Sequence, residues 1–145
     1  MGTSDLYDRD FFEWASRNAE LLREGRLDEV DAEHVAQEIA DIGNRDRREV
    51  HSRLRALTVH LLKWTVQPER RGSSWKNTIE VQREDVELVL QDSPSLRRYA
   101  GDQLNTIYQQ ARKLAAAETG LNLTEFPADC PYSLQQVLDP AFLPE

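Results

Sequence analysis

Four residues carry the chemistry this sequence could do: Glu38, His60, Gln82 and Arg83. A glutamate and a histidine brought together can activate water as an acid–base pair. An arginine and a glutamine can hold a carboxylate or satisfy buried polar partners. The stretch from His60 to Asp85, HLLKWTVQPERRGSSWKNTIEVQRED, concentrates a His, two Trp, a Ser pair and a Gln-Arg pair between apolar runs. On a helical wheel at about 100° per residue, Gln82 falls about 60° from Ile79 and Arg83 about 40° from it. Both polar side chains therefore intrude on the face that Trp75, Ile79, Val86 and Leu90 should bury. An unpaired interior charge costs several kcal/mol, so a buried Arg83 needs a partner. The expected arrangement is a Glu38–Arg83 ion pair with a His60–Gln82 hydrogen bond. That polar cluster either specifies the packing or lines a small polar pocket.

Other readings use overlapping residues. His34, Glu38 and His60 offer nitrogen and oxygen ligands, with His34 and Glu38 at i, i+4 on one helix face. The chain lacks HExxH and the paired Glu-x-x-His of carboxylate bundles, so no metal and no cofactor are expected. Arg55 and His60 in RALTVH are similar to the Arg-x4-His spacing of the HEPN helical ribonucleases. On a continuous helix, however, residues five apart diverge by about 140°. A hydrolase or nuclease using Glu38 and His60 as acid–base groups or metal ligands is the alternative function. The sequence shows it no nucleophile or oxyanion partner. In the loop PERRGSS, Arg70, Arg71, Ser73 and Ser74 form a candidate anion-binding loop at a helix start. Trp64 and Trp75 are packing residues first and an aromatic rim second. Cys130, the single cysteine, lies between Asp129 and Pro131 with nothing basic beside it to activate it.

The elements that must position these residues are helical, because the apolar period is helical almost throughout. A first helix is predicted over about Tyr7–Glu24, with Phe11, Ala15, Asn18 and Leu22 on one stripe, Trp14 and Leu21 at its edge, and Gly25 as its stop. A second is predicted over Asp31–Ile42 with Val35, Ile39 and Ile42 inward, broken at Gly43-Asn44. A third, about Arg45–Val66, steps Val50, Leu54, Leu57, Leu61, Trp64 in the 4-3-4-3 spacing of a bundle core, and Pro68 ends it. A fourth runs over about Trp75–Gln91, N-capped by Ser73 or Ser74. A fifth starts with Ser93 as cap and Pro94 as first residue, and continues to about Glu118. Its inward residues are Leu96, Ile107, Ala111 and Leu114, and Gly120 closes it. The tail FPADCPYSLQQVLDPAFLPE holds one short helix near Ser133–Leu138, and its aromatics Phe126, Tyr132 and Phe142 suggest that it packs over the bundle. The predicted fold is an all-α up-and-down bundle of four or five main helices. It is read as one domain over residues 1–145, with a core of about 6–120 and a proline-rich C-terminal segment 121–145 as its cover.

Composition sets limits on partners. A chain of 145 residues with 39% apolar and 30% charged residues is long enough for its own core. The formal charge of −8 argues against a general nucleic-acid binder. Residues 28–41 are acidic and residues 45–55 basic, a separation that suits a protein partner, either a second copy in a homodimer or another chain. No apolar run approaches the ~20 residues of a membrane span. The acidic start MGTSDLYDRD does not read as a targeting peptide, and Leu6 breaks the myristoylation pattern. The expected location is the cytoplasm.

The blocks DFFEWASRNAELLREGRLDEVDAEHVAQEI, HLLKW, SSWKNTIEVQR, SPSLRRY and FPADCPYSLQQVLD, in that order, resemble a bacterial family known as domain of unknown function 29. The resemblance spans about Leu6 to Phe142. Where that family commonly reads Glu-Glu-Ile-Glu, this chain has Gln37-Glu38-Ile39-Ala40, which removes a second carboxylate. The resemblance implies a helical bundle from a bacterium and no assigned activity. Its motif falls on Glu38, His60, Leu61, Leu62, Lys63, Trp64, Ser74, Trp75, Thr78, Ile79, Gln82 and Arg83. The function expected is a non-enzymatic binding or protein-interaction module.

Overall fold

The computed structural model describes residues 4–145; Met1–Thr3, part of the N-terminal segment read above for targeting, lie outside it. The protein is all-α, with 79% of residues helical, six helices and no strand among the described residues. Among the described residues no helix is long and apolar enough to cross a membrane. The chain divides into two compact units, Met1–Arg45 and Asp46–Glu145.

In the first unit, α1 (Ser4–Arg9) and α2 (Phe11–Arg23) replace the single helix predicted from Tyr7. The reason is local. The Asp10 carboxylate accepts from the backbone N–H of Glu13 at 3.1 Å and so N-caps α2. At the other end, Gly25 takes φ +72°, and the N–H groups of Gly25 and Arg26 reach the carbonyls of Leu22 and Leu21. That is the paired hydrogen bonding of a Schellman stop, which glycine accommodates without a Cβ clash. Trp14, Asn18 and Leu21 are the buried residues of α2, while Phe11 and Leu22 of the expected stripe are exposed.

The second and third predicted helices are one helix, α3 (Ala32–Val66). Gly43 costs about 1 kcal/mol relative to alanine in a helix interior, a penalty that 35 residues of ladder absorb. Of the expected inward stripe of the predicted second helix, Val35 is half-buried but the two isoleucines face out. Ile39 is 64% exposed and Ile42 55% exposed.

The second unit holds the apolar core. Val50, Leu54, Leu57, Leu61 and Trp64 of α3 pack with Ile79, Val86 and Leu90 of α4 (Ser73–Asp92). Ala100, Leu104, Ile107, Tyr108, Ala111 and Ala115 of α5 (Leu96–Thr119) complete the cluster. Full burial of each large aliphatic side chain contributes about 1.5–3 kcal/mol against exposure. The helix starts differ by a residue or two from those predicted. Gly72, not a serine, precedes α4, and Ser93–Ser95 form a turn before α5. Leu114, expected inward, is exposed. Gly120 ends α5 with φ +73°.

The C-terminal segment is part of this core. Phe126, Tyr132, Val137 and Leu138 are buried in it. The Tyr108 hydroxyl donates to the Pro127 carbonyl at 2.5 Å, and Arg112 donates to the carbonyls of Leu123 and Phe126. The short helix α6 (Leu134–Leu138) begins with a reciprocal capping box between Ser133 and Gln136.

Candidate functional site

Arg83 lies on the buried face of α4, as the wheel placed it, and is only 4% exposed. Its partner is not a carboxylate. Nε donates to the Val137 carbonyl oxygen at 2.8 Å, in the last turn of α6. Carbonyls at a helix C-terminus have no partner within the helix, and that end carries partial negative charge, so a guanidinium is a fitting cap. The second nitrogen is different: Nη2 is buried and has no acceptor. Burial pulls the Arg83 pKa below its ordinary value, and the field of Asp139 acts in the opposite direction. A buried donor of this kind without a partner is rare in folded proteins and calls for a reason.

Arg83 also lines a cavity of about 440 Å³, within the range of small-molecule sites, ~300–1,000 Å³. One wall is a stripe of α4: Lys76, Ile79, Glu80, Arg83, Glu84 and Glu87. The other is the end of the chain: Leu138, Pro140 and Leu143. The spacing 76-79-80-83-84-87 is one helix face, so the local sequence presents these residues together. The site combines an apolar body, one buried cation and carboxylates. Glu87 is already paired, with Arg97 at 3.2 Å.

The remaining expected site residues fall elsewhere. Gln82 is half-buried, with its Oε1 lacking a partner, and His60 Nδ1 bonds the Ala56 carbonyl at 3.0 Å within its own helix. The expected His60–Gln82 hydrogen bond is thus replaced on the His60 side by a backbone contact. Glu38 belongs to the first unit, where it accepts the Tyr7 hydroxyl. The expected Glu38–Arg83 pair is likewise replaced by Tyr7 for one partner and Val137 for the other. Glu38 belongs to the first compact unit and His60 to the second. Among the described residues no three His, Cys, Asp or Glu side chains converge on a metal position.

The anion-loop residues are in use or dispersed. Arg71 donates through Nε to the Trp64 carbonyl at 2.6 Å and stacks over the Trp64 ring, closing the C-terminal end of α3. Arg70 ends a 3-10 turn and is exposed; Ser73 and Ser74 open α4 and are exposed. Trp64 is buried in the core, and Trp75 packs against it half-buried under Lys63. Cys130 is half-buried, donates to the Tyr132 carbonyl, and has its pKa raised by burial.

The first unit contains a polar network that the sequence reading missed. The Asp31 carboxylate accepts from the Trp14 indole at 2.9 Å and contacts His34 Nδ1 at 2.7 Å. Asn18 links the same elements, accepting from the Asp31 N–H and donating to the Trp14 carbonyl. Tyr7 stacks on the His34 ring at 4.0 Å. Burial acts to raise the Asp31 pKa, but the hydrogen bonds from Trp14 and His34 outweigh it and hold the carboxyl below its ordinary range. The signal that pointed here was Asn18, a polar residue on an otherwise apolar stripe.

No curated protein and no solved structure matches the chain. The family described as Domain of unknown function DUF29 matches residues 6–143. That span takes in most of both compact units and every residue of the Arg83 cavity, and the chain belongs to this family.

Proposed function

We propose that this protein is a ligand-binding module whose site is the cavity between α4 and the C-terminal segment, with Arg83 as the anchoring group. The observation that carries this is the Arg83 Nη2 donor, buried and without an acceptor, in a residue that lines a mostly apolar cavity. A guanidinium in the wall of such a cavity suits a ligand's carboxylate in particular. Ile79, Leu138, Pro140 and Leu143 supply the apolar contact that such a site needs.

The test is calorimetric titration of the full chain with two small aliphatic probes, L-leucine and 4-methylpentanoate. Binding of either by the wild type, and its loss in the cavity-filling variant Leu143→Trp, is the expected result. Failure of both probes to bind, or equal binding by the wild type and Leu143→Trp, contradicts the proposal.

A further inference from the structure

Beyond a buried cation and apolar walls, the cavity has carboxylates. Glu80 and Glu84 line it, are exposed, and pair with no basic side chain among the described residues. They flank Arg83 on the same helix face, Glu80 three positions before it and Glu84 directly after it. Side chains three or four positions apart on a helix stand about 5–6 Å apart at Cβ. Glu80 is such a neighbour of Arg83, and Glu84 is such a neighbour of Glu80, so a carboxylate on Arg83 would lie within one helical turn of two free carboxylates. That placement is unfavourable for a ligand carrying only negative charge, and more so for a phosphate of higher charge. It becomes favourable when the ligand carries a cation close to its anion.

Resting on the cavity reading above, we infer that the site takes a small aliphatic α-amino acid or dipeptide as a zwitterion, with the carboxylate on Arg83, the ammonium on Glu80 and Glu84, and the side chain against Ile79, Leu138 and Leu143. The charges of an α-amino acid are on neighbouring carbons, which suits an arginine and a glutamate within one turn. The volume of about 440 Å³ admits a leucine-sized ligand with room for a second residue. Lys76, one turn before Glu80, adds a second cation at the far end of the stripe. Glu87 contributes less, because Arg97 already neutralises it.

The experiment is titration of the full chain with L-leucine, 4-methylpentanoate (which lacks the ammonium) and 3-methylbutylamine (which lacks the carboxylate), in the wild type and in Glu80→Gln/Glu84→Gln. Both glutamates are exposed, so the double variant keeps the core; circular dichroism verifies that it folds. The expected result is leucine binding at least roughly threefold tighter than either half-ligand, with the advantage over 4-methylpentanoate lost in the double variant. If 4-methylpentanoate binds the wild type as tightly as leucine does, and the double variant strengthens both, the cavity takes simple carboxylates and the zwitterion inference is overturned while the cavity reading stands. If 3-methylbutylamine alone binds, the arginine does not anchor the ligand and the inference is overturned. If none of the three binds the wild type, the cavity reading falls and takes the inference with it.

Discussion

Arg83 Nε donates to the carbonyl oxygen of Val137 at 2.8 Å, so a residue in the middle of α4 closes the end of the last helix in the chain. Replacing Arg83 with leucine leaves that carbonyl without its donor, a cost of about 1–3 kcal/mol. The same change removes a buried charge, which offsets part of the loss in global stability. The effect should therefore concentrate locally. Hydrogen exchange of the amides over residues 134–139 is expected to accelerate by about tenfold or more in Arg83→Leu, well beyond the change in α5. Unchanged exchange there would show that Arg83 does not hold α6.

Tyr108 and the Pro127 carbonyl tie the segment after α5 back to that helix through a 2.5 Å hydrogen bond. Tyr108→Phe keeps the ring and deletes the donor, so it should cost about 1–2 kcal/mol in chemical denaturation. Leu54→Ala, at a fully buried position of α3, should cost about 2–5 kcal/mol through lost transfer energy and the cavity left behind. A reversed order of these two variants would contradict the core described here.

Asp31 carries a pH signature. Its folded pKa lies below the ordinary carboxylate value, because Trp14 and His34 stabilise the charged form. It therefore contributes stability that is fully present above the ordinary carboxylate range and is lost as pH falls through the lowered folded value. Asp31→Asn should be less stable than the wild type at neutral pH, and the difference should shrink on acidification below about pH 4. Thermal melts followed by tryptophan fluorescence across that range provide the measurement; a difference that widens at low pH would be inconsistent with the assignment.

Ile39 and Ile42 separate the structure from the pattern in the sequence. As inward residues each would cost several kcal/mol when replaced by serine. Exposed as they are, Ile39→Ser and Ile42→Ser should shift unfolding free energy by less than about 0.5 kcal/mol each. Urea denaturation decides between these outcomes.

The all-α class, the core stripe Val50–Leu54–Leu57–Leu61–Trp64 and the intrusion of Arg83 into an apolar face were legible because each follows from helical period alone. The glycine stops at Gly25 and Gly120 were legible for the same local reason, a left-handed residue where the helix must end. Gly43-Asn44 misled because a glycine penalty is small beside the cooperativity of a long helix. The partner of Arg83 was out of reach. A backbone carbonyl 54 positions away leaves no mark on residue type, whereas a carboxylate partner would have done. The cavity was half legible: its α4 wall is a one-face stripe, but the opposing Leu138, Pro140 and Leu143 depend on how the tail folds back.

A ligand carboxylate received by the Arg83 cavity is read most directly at the Arg83 side chain itself. Arginine Nε–Hε correlations in a nitrogen-15-labelled sample, assigned with Arg83→Lys, should show the Arg83 signal moving saturably as L-leucine is added, while those of the exposed Arg26 and Arg70, which do not line the cavity, stay in place. A titration in which the Arg83 signal does not move, or moves only in proportion with the exposed arginines, would contradict the account.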